Sequence, residues 1–156
     1  MKTSIAILGS TGSIGRSLIR LITKDKKNFQ ILLLTADKNY KELLKQAKIF
    51  KVKNIIITNK KSYLRAINEN FSSNLNIFND FNNFDEIFKK KADYTMSAIS
   101  GLAGLIPTLN IIKYTKKIAI ANKESLVCGW YLLNKEFKKF KTKFIPVDSE
   151  HFSIWY

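Results

Sequence analysis

Two carboxylates stand two residues apart in Pro146-Val147-Asp148-Ser149-Glu150-His151. In an extended segment such residues project to the same side, and paired hard oxygen ligands suit Mg2+ or Mn2+. A solvated loop would carry the same pattern. His151 beside them offers a softer ligand or a base, and its simplest role is to orient its neighbours. A second polar cluster, Asn122-Lys123-Glu124-Ser125, places a cation between an amide and an acid. Lys123 could polarise a substrate oxygen or hold a phosphate; an ordinary surface lysine is the competing reading.

The third cluster is Gly9-Ser10-Thr11-Gly12-Ser13-Ile14-Gly15. The apolar Ile5-Ala6-Ile7-Leu8 precedes it and an amphipathic segment, Arg16 to Ile22, follows. That order predicts strand, tight turn and helix. Glycines let the backbone come close to a bulky anion. The first helical amides then point at that anion along the positive end of the helix dipole, with Ser10, Thr11 and Ser13 adding hydroxyl donors. The spacing is a variant of the dinucleotide fingerprint, and Ile14-Gly15-Arg16 stands where a P-loop needs its Lys and Ser/Thr. The expectation is a phosphate or pyrophosphate cradle; a turn that binds nothing is the alternative.

The elements that must position these clusters alternate between strand and helix. Phe29 to Thr35 reads as a second strand, completing a β-α-β unit. At its end Asp37 would accept hydrogen bonds from the ribose hydroxyls of NAD, whereas Lys38 would pair with the 2′-phosphate of NADP; both could equally be solvated turn residues. Tyr40 to Phe50 has helical spacing, with Tyr40, Leu43, Leu44 and Ala47 on one face. Asn54 to Thr58 is a β-branched strand, and Ser62 to Asn70 a helix with Leu64, Ile67 and Phe71 inward. Phe71 to Phe84 reads as loop with one short strand near Leu75 to Phe78. Lys89-Lys90-Lys91 ends an apparent helix. Ala92 to Ile99 is a strand leading into a glycine-bearing loop from Ser100, Pro107 opens a helix through Ile112, and Lys117 to Ala121 is a strand. Leu126 to Phe140 is helical, and Lys143 to Val147 is a strand whose Pro146 suggests an edge position or a strand end. The polar clusters fall after successive strands, on the edge where open parallel sheets bind ligands. The fold class is therefore α/β, a Rossmann-like, doubly wound, mainly parallel sheet with helices on both faces.

At 156 residues and 46% hydrophobic content the chain makes one ordinary globular domain. No apolar run approaches a membrane span, and none fits a signal peptide. The single cysteine, Cys128, fits a reducing cytoplasm and reads as buried and inert. The net charge is +15. The lysines are spread over many segments, and Lys, Asn, Ile and Phe share AT-rich codons. The charge therefore reads as coding bias rather than as a nucleic-acid or membrane-surface site.

Four motifs then coincide in order and spacing: Gly9 to Gly15; Gly101-Leu102-Ala103-Gly104-Leu105-Ile106-Pro107-Thr108-Leu109; Ala121-Asn122-Lys123-Glu124-Ser125-Leu126-Val127; and Pro146 to His151. Along its whole length the chain resembles the N-terminal part of the 1-deoxy-D-xylulose 5-phosphate reductoisomerases. The resemblance implies NADPH-dependent isomerisation and reduction of a phosphosugar, 1-deoxy-D-xylulose 5-phosphate, to 2-C-methyl-D-erythritol 4-phosphate in non-mevalonate isoprenoid biosynthesis. It implies Thr11, Gly12, Ser13 and Ile14 at the pyrophosphate and neighbouring cofactor, Lys38 and Asn39 at the adenosine end, and Asn122 and Glu124 beside the nicotinamide. Lys123, Ser149 and Glu150 would face substrate, and Asp148 with Glu150 would bind Mg2+ or Mn2+; Lys123, Asp148 and Glu150 are the catalytic candidates. Residues 1–147 would be the dinucleotide-binding domain and 148–156 the start of the catalytic domain. The family is homodimeric and commonly has a small residue where Asp37 stands, so the acid bears on NADP preference. Family members continue for more than this length again, with a third metal carboxylate, a substrate-phosphate pocket, a flap and a helical domain. The expectation is thus a chain that binds cofactor and does not turn over alone, the alternative function being a catalytically inactive nucleotide-binding fragment.

Overall fold

Short β-rich apolar runs separated by amphipathic segments bury their residues when the runs pair in parallel and the segments cover both faces. The computed structural model, which describes residues 2–69 and 74–147, has this arrangement. The strands are β1 (Thr3–Leu8), β2 (Phe29–Ala36), β3 (Asn54–Ile57), β4 (Asn76–Phe78), β5 (Tyr94–Ser97), β6 (Lys117–Ile120) and β7 (Lys143–Pro146). The α-helices are α1 (Ser13–Lys24), α2 (Tyr40–Phe50), α3 (Lys60–Glu69), α4 (Phe84–Ile87), α5 (Leu105–Ile111) and α6 (Lys123–Phe140). The seven strands lie in the order β4-β3-β2-β1-β5-β6-β7, every pair parallel.

Alternation along β1 divides the core. Ile5 and Ile7 face α1, α2 and α3 through Ile19, Ile22, Leu43 and Ala66. Ala6 and Leu8 face α4, α5 and α6 through Phe84, Ile111, Leu133 and Phe137. The register slips between Ile5 and Ala6, which pair with Ile31 and Leu33, so β2 carries one extra residue. The bulge explains why Ile31 and Leu34, three apart, share a core face. Pro146 ends β7, the edge strand beside β6, where its missing N–H costs no ladder bond.

Several expectations are corrected. Leu64 and Ile67 of α3 are 52% and 44% exposed; the helix instead turns Ser62 and Ala66 inward, and Phe71 lies outside the described residues. Small inward residues let α3 sit close to the sheet, which the search for large apolar positions missed. Cys128 is exposed, because α6 buries the stripe Ser125, Gly129, Leu133 and Phe137, and position 128 falls beside it. Helix α6 begins at Lys123 rather than Leu126, since Asn122 caps it. Pro107 is the third residue of α5 rather than its opening one. Lys89 to Lys91 follow α4 without belonging to its last turn.

Candidate functional site

The strand order reverses between β1 and β5: from β1 the chain builds outward through β2, β3 and β4, then returns to build β5, β6 and β7 on the other side. Ligands of open α/β sheets bind outside the carboxyl ends of strands at such a switch point. Single backbone bonds carry the strand ends one step further: Ala98 N–H donates to Leu8 O, Ala121 N–H to Ser97 O, and Val147 N–H to Ile120 O.

The Gly9–Gly15 turn opens this rim, and its three glycines do different work. Gly9 has φ +81°, and a Cβ there would stand 2.7 Å from the Ala98 carbonyl oxygen. A Cβ on Gly15 would stand 2.3 Å from the Gly9 carbonyl oxygen. Both are required by the fold. Gly12 is different. It is exposed, has ordinary extended φ and ψ, and a Cβ would meet nothing nearer than the Gly9 carbonyl oxygen at 3.4 Å. Gly12 is also the N-cap of α1, with no side chain capping the first turn. An open, uncapped helix start with no Cβ is the geometry that receives an anion.

Thr35, at the end of β2, shapes the turn from beneath. Its hydroxyl accepts from Gly9 N–H at 2.9 Å and its carbonyl from Ser10 N–H at 2.9 Å. Ser10 is fully buried and its own hydroxyl donates to the Thr35 carbonyl, so it is not the ligand donor the sequence suggested. Thr11 is half-buried, and Ser13 and Ile14 are exposed at the start of α1.

At the end of β2, Asp37, Lys38 and Asn39 are all exposed. Asp37 Oδ1 accepts from the Thr58 hydroxyl at 2.9 Å, tying the ends of β2 and β3 together. Asn39 caps α2, its side chain accepting from Glu42 N–H at 3.4 Å.

The β5–α5 loop and the β6–α6 turn are joined by Asn122, which is 3% exposed. Its amide donates to Ile99 O at 2.5 Å and Gly101 O at 2.7 Å, and its Oδ1 accepts from Ser125 N–H at 2.8 Å. A Cβ on Gly104 would stand 2.7 Å from both the Asn122 amide nitrogen and Ile99 O, so this close packing needs glycine there. Thr108 adds a second tie, its hydroxyl donating to Gly104 O at 2.6 Å beside the Ser97 hydroxyl, also at 2.6 Å. The Asn122 side chain thus builds the loop and its carbonyl accepts from Leu126 N–H at 3.3 Å, with Lys123 and Glu124 exposed in the first turn of α6. Thr35 and Thr108 were missed in the sequence; a lone Thr ending an apolar strand was the available signal for the first.

Asp148, Ser149, Glu150 and His151 lie outside the described residues. Among the described residues no three His, Cys, Asp or Glu side chains gather as metal ligands, and no helix is long and apolar enough to cross a membrane.

Comparison with known proteins adds to this geometry. A family model described as 1-deoxy-D-xylulose 5-phosphate reductoisomerase matches residues 5–129. The enzyme of that name from Pelagibacter ubique is 58% identical over 153 residues, covering 97% of this chain and 39% of the relative. The solved reductoisomerase of Zymomonas mobilis in complex with NADPH superposes with a TM-score of 0.88 at 36% identity, over 97% of this chain and 40% of that one. A reductoisomerase in complex with NADPH, fosmidomycin and magnesium gives 0.86 at 33% identity, over 97% and 37%. The chain spans about two fifths of the length of the curated relatives it matches.

Proposed function

The chain belongs to the 1-deoxy-D-xylulose 5-phosphate reductoisomerase family, and on that footing we propose that it supplies the NADPH site and part of the metal site of an enzyme making 2-C-methyl-D-erythritol 4-phosphate from 1-deoxy-D-xylulose 5-phosphate. The observation that carries this reading is the open cradle at Gly12, a glycine that neither backbone conformation nor packing requires. Its counterpart is a relative solved with NADPH.

In this reading Thr11, Gly12, Ser13 and Ile14 hold the pyrophosphate with the first amides of α1. Lys38 and Asn39 receive the adenosine end. The Asp37 carboxylate, engaged by Thr58, leaves Lys38 to pair with the 2′-phosphate, which favours NADPH over NADH. Asn122 and Glu124 border the nicotinamide, Asn122 by fixing the β5–α5 loop against the start of α6. NADPH, when bound, supplies a hydride, and the chain's residues orient it. Lys123, Ser149 and Glu150 face the phosphosugar. Asp148 and Glu150 are the ligands proposed for Mg2+ or Mn2+, a choice supported by two hard carboxylates and by a relative solved with magnesium. Residues 1–147 form the dinucleotide-binding unit and 148–156 open the catalytic part, in a homodimeric protein of the cytoplasm.

A second reading is a nucleotide-binding module without catalysis, which the open cradle at Gly12 supports equally. One assay separates the two. NADPH oxidation that requires both 1-deoxy-D-xylulose 5-phosphate and Mn2+ supports the enzyme. Saturable NADPH binding without oxidation supports the module. Absence of binding contradicts both. In a turning-over enzyme, Asp148→Asn should abolish metal-dependent oxidation while leaving NADPH affinity nearly intact; loss of both together would contradict its assignment to the metal.

A further inference from the structure

In a parallel sheet every connection from a helix back into a strand lies at the same edge, here the one opposite the glycine rim. Along the chain the lysines look dispersed, but the topology collects them. Lys27 stands before β2, Lys53 before β3, Lys90 before β5, Lys116 before β6 and Lys141 before β7, all exposed. The connections into β2, β3 and β5 carry further exposed lysines, among them Lys26, Lys51, Lys89 and Lys91. Two acids share these connections. Asp25 accepts from the Asn28 amide at 2.9 Å and keeps its charge. Asp93 pairs with Lys116 at 2.8 Å and so takes that lysine out of the row. Lys91 Nζ donates to the Phe140 carbonyl at 2.8 Å, and the lysines outnumber the acids even so.

Helix dipoles account for cations in last turns, such as Lys24 of α1 and Lys138 and Lys139 of α6. They do not account for Lys53 or Lys90, which lie beyond the last turn, where the dipole's effect has faded. Strands neighbour one another at about 4.8 Å, so the row from β3 to β7 runs about 24 Å. The partner it fits is a linear polyanion. None of the large exposed apolar side chains belongs to these connections, so they offer a bilayer no wedge and unstacked bases no platform.

We infer that this edge binds the phosphate backbone of a nucleic-acid duplex, without reading its sequence. The test is fluorescence anisotropy with a labelled duplex of about 20 base pairs, at salt from about 50 to 200 mM. The chain should bind at micromolar concentration in low salt. Lys89→Gln/Lys90→Gln/Lys91→Gln should weaken binding at least about tenfold and flatten the log–log salt slope by about 0.9 per lost contact. Lys27→Gln/Lys53→Gln, on different connections, should weaken it in the same sense. The control Lys41→Gln/Lys60→Gln/Lys61→Gln, which removes equal charge near the glycine rim, should change it less than about twofold. Equal weakening by the control would overturn the inference, since net charge alone would then be responsible. Absence of duplex binding in low salt would overturn it too, as would edge-dependent binding to phosphatidylserine vesicles in preference to the duplex.

Discussion

Asn122 shows how far a residue's type can differ from its use. The family resemblance implies a place beside the nicotinamide; in the fold its amide also joins three backbone groups across two loops. Asn122→Ala removes a helix cap and strands two carbonyls, and should cost about 2–3 kcal/mol in urea unfolding. Stability unchanged within error would mean that water replaces the amide. Lys38 makes the opposite case, an exposed side chain to which the proposed function gives a ligand. Lys38→Ala should weaken NADPH about tenfold and leave NADH nearly unchanged, measured by nicotinamide fluorescence. At this scale the sequence was most legible where chemistry demands a residue type, as at the three glycines. It was least legible where a polar side chain bonds backbone from elsewhere, because Thr35 and Gly9 are 26 residues apart and nothing local marks the pair.

Elements were read well where periodicity had one interpretation. Pro146 both ends β7 and lies on an edge strand, the two places expected for it, and Tyr40, Leu43 and Ala47 do line the buried face of α2. The expectation fails at α3, whose inward residues Ser62 and Ala66 are small, and at Cys128, which falls beside the buried α6 stripe of Ser125, Gly129, Leu133 and Phe137. The turn into α1 gives a sharp contrast between neighbouring glycines. Gly15→Ala would push a methyl into the Gly9 carbonyl and should destabilise the chain by about 1–3 kcal/mol. Gly12→Ala should lower the thermal midpoint much less, its methyl making only ordinary contact and the lost N-cap preference of Gly over Ala costing well under the Gly15→Ala clash. At the other end of β1, Asp93 fastens β5 to its neighbour. The Lys116 ammonium and hydrogen bonds from Ser4 hold its carboxyl well below the usual carboxylate range. A depressed folded-state pKa contributes stability that is fully present above the unfolded value, about 3.9, and is lost as pH falls below it. Solvent screening keeps the effect modest. Asp93→Asn should therefore lower the thermal midpoint at pH 6 and narrow its gap from wild type by pH 3. A gap that stays constant across that range would mean the charge contributes nothing.

The whole molecule has two chemically distinct edges because its sheet is wholly parallel. Strand ends gather glycines and polar clusters at one edge, and strand starts gather lysines at the other. The first grouping could be counted along the sequence, since each cluster follows a strand. The second could not, because lysines separated by dozens of residues meet only when the strand order is known. The central claim is that the first edge receives NADPH, and a titration of wild type and Gly12→Ala, followed by nicotinamide fluorescence alongside thermal unfolding, tests it most directly. The account predicts saturable NADPH binding by wild type, tighter than NADH, and at least about tenfold weaker binding by the variant. The variant should still unfold cooperatively, at a midpoint only slightly lowered by the weaker N-cap, because the ligand and not the core meets the added methyl. Equal NADPH affinity in both proteins, or none in either, would contradict it.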